Sequence, residues 1–198
     1  MTQREEFLAR VARAIPEQSE ASPLPALNGL GSTRADPQRD FQNSLQAAAG
    51  RALLLSDYEH LEAALSQLDC YRHAKRVCTT VPGVLRSNVN QSAFEDPRSL
   101  SQIDVAVLRA ELGVAENGAV WIAPKNIMER ALLFLSEHVV VLLDKSRIVD
   151  DMHRAYEAIA VNSASFGCFV SGPSKTADIE QALVIGAHGP RSFSVVLV

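Results

Sequence analysis

The sequence contains few of the residues that mark several common classes of protein. Only three cysteines occur in 198 residues, an odd number without the paired spacing of a disulfide framework. Aromatic residues make up 6% of the chain, which is low for a surface that stacks single-stranded nucleic acid. Acidic residues outnumber basic ones by 23 to 19, which disfavours binding to a phosphate backbone. We therefore expect no nucleic-acid partner and a reducing, cytoplasmic location.

Long apolar runs are also missing. The longest, Ala131–Leu135 and Val139–Leu143, have the length of a strand and are separated by Ser136, Glu137 and His138. A membrane helix needs about 20 consecutive apolar residues. The chain begins Met-Thr-Gln-Arg-Glu-Glu, and such early acidic residues are unlike a secretory signal. We predict neither a membrane span nor a signal peptide.

The cysteines do not indicate a metal site. Cys70 and His73 have the spacing of half a zinc site, but no second pair completes a tetrahedral ligand set. We interpret Cys70, Cys78 and Cys168 as partly buried, small apolar residues. No metal is predicted.

The composition is otherwise that of a compact protein with an N-terminal extension. Hydrophobic residues make up 47% of the chain and charged residues 21%, which excludes wholesale disorder. Apolar spacing within Thr2–Ile15 predicts an amphipathic helix. Pro16–Gln38 contains prolines, glycines and small polar residues without a periodic apolar face, which is typical of an extended linker. We predict a helix and linker over residues 1–38 and one domain over residues 39–198.

From residue 39 onward, short apolar strands alternate with amphipathic helices. The predicted strands are Ala52–Leu55, Arg76–Thr80, Val105–Leu108, Ala119–Ala123, Ala131–Leu135, Val139–Leu143, Cys168–Ser171 and Phe193–Val198. The predicted helices cover residues 39–49 and Thr176–Ile185, and two more begin at Asp57 and Asp150. This alternation is typical of an α/β fold, and continuous apolar strands indicate a sheet covered on both faces. We expect three layers, with a mostly parallel sheet flanked by helices.

The segment after Cys168 predicts an anion-binding turn. It has the pattern of a strand, a tight turn containing Gly172 and Ser174, and a helix beginning near Lys175 and Thr176. Free amides at a helix N-terminus attract anions, and the lysine adds a positive charge. Ligands of open parallel sheets usually lie outside the carboxyl ends of the strands. Hydroxyl residues at a helix start also serve as ordinary caps, and two acidic residues in the predicted first turn already complement the helix dipole.

A second turn, Gly186–Arg191, follows before the last strand. Its two glycines and one proline fix the path of the backbone. His188 is a candidate acid–base group because an unperturbed imidazole titrates near pH 6.5, and the alternative is a hydrogen bond to a loop carbonyl. Gly189 and Arg191 are candidate ligands of a small anion at the same place.

Several motifs together resemble the LUD-domain family. The matching segments are Gly172–Glu180, Gly186–Arg191, the Ala-Glu-Asn-Gly run within Gly113–Val120, and the Glu137-His138 pair that opens a Val-Val-Val strand. The resemblance covers residues 104–198 well.

The resemblance implies a fold of the NagB/RpiA/CoA-transferase type and a role in lactate oxidation. It implies a non-redox subunit that acts with iron–sulfur proteins oxidising L-lactate to pyruvate. Three cysteines are too few for a standard four-thiolate cluster, so we expect no cofactor on this chain and the clusters in its partners. Relatives in the wider fold superfamily use a nucleophilic glutamate, which makes Glu116 a candidate catalytic residue; a turn-stabilising carboxylate is the alternative.

Two other functions stay open at this point. The turn that contains Lys175 is compatible with a stand-alone enzyme or binding protein for a phosphorylated or CoA-linked ligand. The N-terminal helix and its linker are compatible with an assembly or regulatory module. The sequence is also compatible with a homo-oligomer, and it leaves open whether the chain is itself an enzyme or an accessory subunit.

Overall fold

The computed structural model describes residues 2–14, 31, 33–89, 96–123, 129–159, 166–177 and 183–198. The chain divides into two compact units, Met1–Leu30 and Gly31–Val198. The described part of the first unit is helix α1, Gln3–Ala14, in agreement with the predicted N-terminal helix. None of the described side chains of α1 is buried. Most of the predicted linker lies outside the described residues.

Most helices and strands of the second unit are short. Its helices are α2 Pro37–Ala47, α3 Leu61–Leu65, α4 Asp69–His73, α5 Leu132–Leu135 and α6 Met152–Ala158. Its strands are β1 Arg51–Leu54, β2 Val77–Thr79, β3 Val105–Arg109, β4 Leu112–Val114, β5 Ala119–Ile122, β6 His138–Leu143, β7 Ile148–Val149, β8 Cys168–Val170, β9 Lys175–Ala177, β10 Leu183–Ile185 and β11 Ser192–Leu197. Short 3-10 helices cover Tyr58–His60, Pro97–Gln102 and Lys145–Arg147.

A five-stranded parallel sheet forms the centre of this unit. Its strand order is β1-β11-β6-β3-β2, and all four neighbouring pairs are parallel. Successive residues of β6 point to opposite faces, so that Val139 and Val141 pack in one core cluster and Val140 and Leu142 in the other. Because both clusters are buried, the prediction of a mostly parallel sheet flanked by helices is confirmed.

The two faces of this sheet are covered by different elements. On one face, Leu61 and Leu65 of α3 and Tyr71 of α4 are fully or almost fully buried. On the other face, α2 contributes Phe41 and Leu45, alongside residues of β5 and α5. An aromatic side chain that is completely buried contributes several kcal/mol, and these contacts fix the positions of α2 and α4 against the sheet.

A second sheet of four strands was not predicted. Its order is β7-β4-β5-β8, and two of its three strand pairs are antiparallel. The predicted strands Ala119–Ala123 and Cys168–Ser171 therefore belong to this sheet and not to the parallel one. The reason is the length of the β4–β5 connection: residues 115–118 suffice for an antiparallel turn, whereas a parallel crossover needs a dozen residues or more.

The predicted strand Ala131–Leu135 is wrong. The structure has the short helix α5 there, with Leu132 and Leu133 buried. The helical turn is closed by hydrogen bonds from the Leu135 amide to the Ala131 carbonyl, 2.8 Å, and from Ser136 Oγ to the Leu132 carbonyl, 2.7 Å. A five-residue apolar run does not distinguish a strand from a buried helix, and leucine has a strong helix propensity.

The predicted helix Thr176–Ile185 is also wrong. Strands β9 and β10 form an antiparallel pair in which Thr176 faces Val184 and Ile185 faces Lys175. Three β-branched residues at these positions favour a strand, and this preference outweighs the weak helical spacing of the segment. Asp178 and Glu180 lie outside the described residues.

Other helix boundaries differ by one or two residues. The helix predicted over residues 39–49 is α2, Pro37–Ala47, and it begins two residues inside the predicted linker. The helix predicted to begin at Asp150 is capped instead by Asp151, whose Oδ1 accepts a hydrogen bond from the Arg154 amide at 2.9 Å. Within the described ranges, no helix is long and apolar enough to cross a membrane.

Candidate functional site

Two neighbouring cavities lie where central strands begin. One of about 490 Å³, named here the His188 cavity, is lined by Ser101, Phe134, Leu135, Ser136, Glu137, Gly186, Ala187, His188, Gly189 and Arg191. The other, of about 320 Å³ and named the His73 cavity, is lined by Cys70, His73, Ala74, Lys75, Asp104, Glu137 and His138. Glu137 borders both cavities, and both volumes fall in or near the range of small-molecule sites.

These cavities lie at the other end of the strands from the ligand position that the sequence predicted. The sequence predicted a ligand outside the carboxyl ends of the parallel strands, but Asp104 directly precedes β3 and His138 is the first residue of β6. The cavities therefore open at the amino ends of the strands. We name Asp104, Glu137, His138, Arg191 and Ser192 the amino edge of the sheet.

Glu137, which borders both cavities, forms an ion pair with Arg191. Arg191 Nη1 lies 2.8 Å from Glu137 Oε1, with the two side chains 66% and 42% exposed. The Arg191 amide also donates to the Glu137 carbonyl at 2.8 Å, so the backbone holds the two residues together whether or not the side chains pair. Such an exposed pair contributes between 0 and about 1 kcal/mol, and its main effect is on the local charge.

Ser174 and the Gly186–Arg191 turn are held together by their backbones. The Gly186 amide donates to the Ser174 carbonyl at 2.8 Å, and the Ser174 amide donates to the Pro190 carbonyl at 3.0 Å. The structure thus brings Ser174 close to His188, Gly189 and Arg191, which line one cavity.

The other predicted anion ligands do not line either cavity. Lys175 is exposed on β9, and Thr176 pairs with Val184 in the hairpin. Gly172 is buried so close to Ala48 that an added Cβ would lie 2.1 Å from the Ala48 carbonyl oxygen. Because a strand replaces the predicted helix, these residues are not at a helix N-terminus.

Glu116 lies in the turn between β4 and β5 and acts there as a cap. Its Oε2 accepts a hydrogen bond from the amide of Met152, the first residue of α6, at 3.0 Å. Glu116 is not among the residues that line the His188 cavity, so the two predicted catalytic residues, Glu116 and His188, are not placed in one site. Their catalytic roles stay predictions.

His138 is held in place at the amino edge by a side-chain hydrogen bond. Its Nδ1 lies 2.7 Å from Ser192 Oγ, because His138 and Ser192 are directly paired in the parallel β6–β11 ladder. Its Nε2 lies 3.9 Å from Glu137 Oε1. Burial lowers the pKa of His138 below its usual value, with opposing contributions from the nearby carboxylates. The imidazole is therefore neutral at pH 7.

Cys70 lines the His73 cavity beside this group. Burial raises the pKa of Cys70, and hydrogen bonding from the Ser192 side chain opposes that shift. A thiol with a raised pKa is protonated at neutral pH and is a poor nucleophile. The arrangement can therefore donate and accept hydrogen bonds at neutral pH, but it does not supply a thiolate.

The sequence interpretation missed Cys70, His73, Lys75, Asp104 and Ser192 as site residues, and used the Glu137-His138 pair only as a family motif. A signal for part of this set was present. Asp104, His138 and Ser192 each stand immediately before or at the first position of an apolar strand. The first residues of neighbouring parallel strands lie along one edge of the sheet. Their polar side chains are therefore expected to lie close together.

The described residues contain no group of three or more His, Cys, Asp or Glu side chains arranged to hold a metal ion. The three cysteines are free thiols, of which Cys78 is buried and Cys70 and Cys168 are partly buried.

The fold places the chain among mixed α/β proteins with a central parallel sheet. It is similar to the crystal structure of a DUF162 family protein from Deinococcus radiodurans, with a TM-score of 0.66 over 84% of this chain and 99% of that chain. The sequence identity is 17%, so this similarity concerns the fold alone.

The family model for the LUD domain matches residues 2–198. The chain belongs to the LUD domain family, as the motifs around Glu116, Glu137 and Gly172–Arg191 indicated.

Curated relatives resemble about half of the chain. A protein of Geobacillus thermodenitrificans named "Lactate utilization protein C" is 33% identical over 103 residues, covering 49% of this chain and 43% of the relative. The Bacillus subtilis protein of the same name is 32% identical over 110 residues, covering 52% and 46%. An uncharacterized protein of Neisseria meningitidis is 31% identical over 121 residues, covering 57% and 52%. The chain thus spans about half the length of the curated relatives it matches.

Proposed function

We propose that this protein acts in lactate utilization as a non-redox subunit that works with iron–sulfur proteins oxidising L-lactate to pyruvate. The observation that carries the proposal is membership of the LUD domain family, together with relatives named "Lactate utilization protein C". The protein is then an accessory subunit, and its location is the cytoplasm.

The cysteine content supports the non-redox part of the proposal. A standard iron–sulfur cluster uses four thiolate ligands, and this chain has three cysteines. Cys78 lies in β2 of the central sheet and Cys168 in β8 of the second sheet, and burial raises the pKa of both thiols. Protonated thiols on separate sheets are poorly suited to hold one cluster, and we therefore assign the clusters to partner proteins.

The direct test is purification of the tagged, full-length chain from its native cell under anaerobic conditions. We expect iron–sulfur proteins to co-purify with the chain, and the mixture to oxidise L-lactate with an artificial electron acceptor. Deletion of the gene should prevent growth on lactate and leave growth on glucose unchanged. Normal growth on lactate together with purification of the chain alone would overturn the proposal.

A second candidate function is assembly of such a complex through α1. Phe7, Leu8 and Val11 lie on one side of this amphipathic helix and are exposed. Replacing all three with Ser in the full-length chain should abolish co-purification of partners without changing the unfolding of the domain. Arg4→Ser and Arg10→Ser on the same helix serve as the matched control. Unchanged co-purification after the triple replacement would exclude this function.

The alternative of an enzyme or binding protein for a phosphorylated or CoA-linked ligand has lost one of its two supports. It rested on the relatives of the fold and on a helix N-terminus beside Lys175, and that segment is a β-hairpin.

A further inference from the structure

An asparagine–glycine pair lies at the end of the turn between β4 and β5. Asn117 is exposed, whereas Gly118 is buried and has a φ of +67°. Asparagine is a thermolabile residue, and it is most reactive before glycine, because glycine has no side chain to shield its backbone nitrogen. The pair therefore contains both reacting groups of a deamidation, the Asn117 side-chain amide and the Gly118 backbone nitrogen.

Deamidation of this pair needs no reagent other than water. The Gly118 nitrogen attacks Asn117 Cγ, so that an N–Cγ bond forms and the Cγ–Nδ2 bond breaks. Nδ2 leaves as ammonia, together with the proton that the Gly118 nitrogen gives up, and a succinimide ring remains. Water then opens the ring at either of its carbonyl carbons and leaves aspartate or isoaspartate at position 117. In isoaspartate the main chain runs through Cβ and Cγ, so the backbone is longer by a methylene group.

The fold engages the nitrogen that has to attack. The Gly118 amide donates to the Val114 carbonyl at 2.9 Å, and ring closure requires this proton to be lost. Gly118 is also packed so closely against α2 that an added Cβ would lie 2.4 Å from the Leu45 nitrogen. The Gly118 nitrogen therefore cannot turn towards Asn117 Cγ unless the turn first moves away from α2.

Both carbonyl groups of Asn117 are held as well. Its Oδ1 accepts a hydrogen bond from the Ala119 amide at 3.0 Å, and its backbone carbonyl accepts one from Ser171 Oγ at 2.7 Å. The first bond fixes the side-chain amide against the start of β5, and the second joins the turn to the residue that follows β8. Because ring closure has to break such bonds, it proceeds from a locally opened form that is a small fraction of the folded protein.

We propose that Asn117–Gly118 is a deamidation site whose reaction is controlled by opening of the turn between β4 and β5. Aspartate at position 117 keeps an oxygen that can accept from the Ala119 amide. Isoaspartate lengthens the backbone where Gly118 contacts α2 without spare room, so a chain that carries it does not restore the turn. Deamidation thus records past opening of the turn as a permanent covalent change. This inference is independent of the proposed role in lactate utilization.

The test follows deamidation of the full-length chain at mildly alkaline pH, in native buffer and in concentrated urea, by peptide mapping with mass spectrometry. We expect Asn117 to react at least about tenfold more slowly in native buffer, because opening has to break several hydrogen bonds. In urea it should react as fast as Asn28–Gly29, the other asparagine–glycine pair of the sequence. Equal rates for Asn117 in buffer and in urea would overturn the protection, and no reaction in urea would overturn the site.

A variant tests whether the turn controls the reaction. Ser171→Ala removes the donor to the Asn117 carbonyl, and it should raise the rate in native buffer about fivefold without changing the rate in urea. Ser101→Ala is the matched control, because Ser101 Oγ donates to the Arg98 carbonyl at 2.8 Å within a 3-10 helix outside the turn. It should react at the wild-type rate. Equal rates in native buffer for the two variants would show that opening of the turn does not control deamidation.

The two products provide a second readout. After removal of the urea, ion-exchange chromatography and peptide mapping identify chains with aspartate or isoaspartate at position 117. Chains with aspartate should unfold close to the urea midpoint of the unmodified protein, and chains with isoaspartate at a clearly lower one, as measured by circular dichroism. Equal midpoints for the two products would contradict the claim that the packing of Gly118 against α2 makes the change permanent.

Discussion

Two polar segments of this protein use their side chains differently, the Glu116 turn and the amino edge of the sheet. The polar groups of the Glu116 turn, residues Ala115–Gly118, are engaged in hydrogen bonds within the fold. Ser44 Oγ donates to the Ala115 carbonyl at 2.9 Å, and the Met152 amide donates to Glu116 at 3.0 Å. At the amino edge, by contrast, His138 and Glu137 border cavities. A carboxylate engaged as a cap is not available to a ligand, whereas polar groups that border a cavity are.

The comparison shows that the role of a polar side chain depends on the hydrogen-bond donors and acceptors that surround it in the fold. In the Glu116 turn, Ser171 Oγ donates to the Asn117 carbonyl at 2.7 Å, and Asn117 Oδ1 accepts from the Ala119 amide at 3.0 Å. These bonds join α2, β5 and β8 to a single turn. We therefore expect changes in the turn to alter stability, and changes at the amino edge to alter titration and binding.

The largest expected effect is that of Gly118→Ala. Gly118 has a φ of +67°, and an added Cβ would lie 2.4 Å from the Leu45 amide nitrogen and 2.6 Å from Leu45 Cα. Relieving this clash requires a shift of the backbone of α2, which is packed against the sheet. We therefore expect the free energy of unfolding to fall by about 3 kcal/mol. Urea denaturation followed by circular dichroism measures this change.

Gly83→Ala is the matched control for that substitution. Gly83 also has a positive φ, +85°, but its added Cβ would lie 3.5 Å from Tyr58, an ordinary contact. Only the cost of the left-handed backbone remains, about 1 kcal/mol. If both variants lose the same stability, the turn is not packed against Leu45 in the way described.

The next largest effect is a loss of stability at acidic pH that is caused by His138. Burial lowers the pKa of His138 below 6.5 in the folded protein, with Glu137 and Asp104 raising it and Arg191 lowering it. Above pH 6.5 both states carry a neutral imidazole. As the pH falls below 6.5 the unfolded chain binds the proton first, so the free energy of unfolding decreases.

His138→Gln should reduce this acid sensitivity. We expect the wild-type protein to lose more stability than the variant between pH 7.5 and 5.5, as measured by urea denaturation at both values. His153→Gln, which replaces an imidazole of α6 outside the amino edge, is the control and should follow the wild type. A variant that loses as much stability as the wild type would refute the role assigned to His138.

The fold was predictable from the sequence where strands are apolar and continuous. Val139–Leu143 indicated a strand buried on both faces, and β6 is that strand. The hairpin of β9 and β10 was missed because its short strands contain polar Lys175 and Thr176, which also fit a helix start. Ala131–Leu135 was assigned to a strand because its apolar run is too short to show a helical period.

The site was predictable only in part. Gly189 and Arg191 were identified from the backbone restrictions of their turn, and both line the His188 cavity. Lys75 and Asp104 are far apart in sequence from His138, and only the strand order β11-β6-β3-β2 brings these residues to one edge. The spacing of residues in a single sequence does not show which strands are neighbours in the sheet.

A smaller effect on stability is expected at Glu116. Glu116→Ala removes the acceptor of the Met152 amide, and we expect a loss of about 1 kcal/mol, as for other helix caps. Glu116→Gln keeps an acceptor oxygen and should lose less than half of that. Urea denaturation measures the free energy of unfolding of both variants. If Glu116→Gln loses as much stability as Glu116→Ala, the capping role assigned to Glu116 is wrong.

The smallest effect on stability is expected for Arg191→Met, which nevertheless changes the charge around His138. The exposed ion pair with Glu137 contributes less than about 1 kcal/mol. Because the Arg191 guanidinium lowers the pKa of His138, its removal should raise that pKa, and freeing Glu137 acts in the same direction. The measurement is an NMR titration of the histidine Cε1–H signals. Arg98→Met, which removes the exposed partner of Asp96, should leave the His138 titration unchanged. A fall in the pKa of His138 after Arg191→Met would mean that the ion pair does not set the charge at the amino edge.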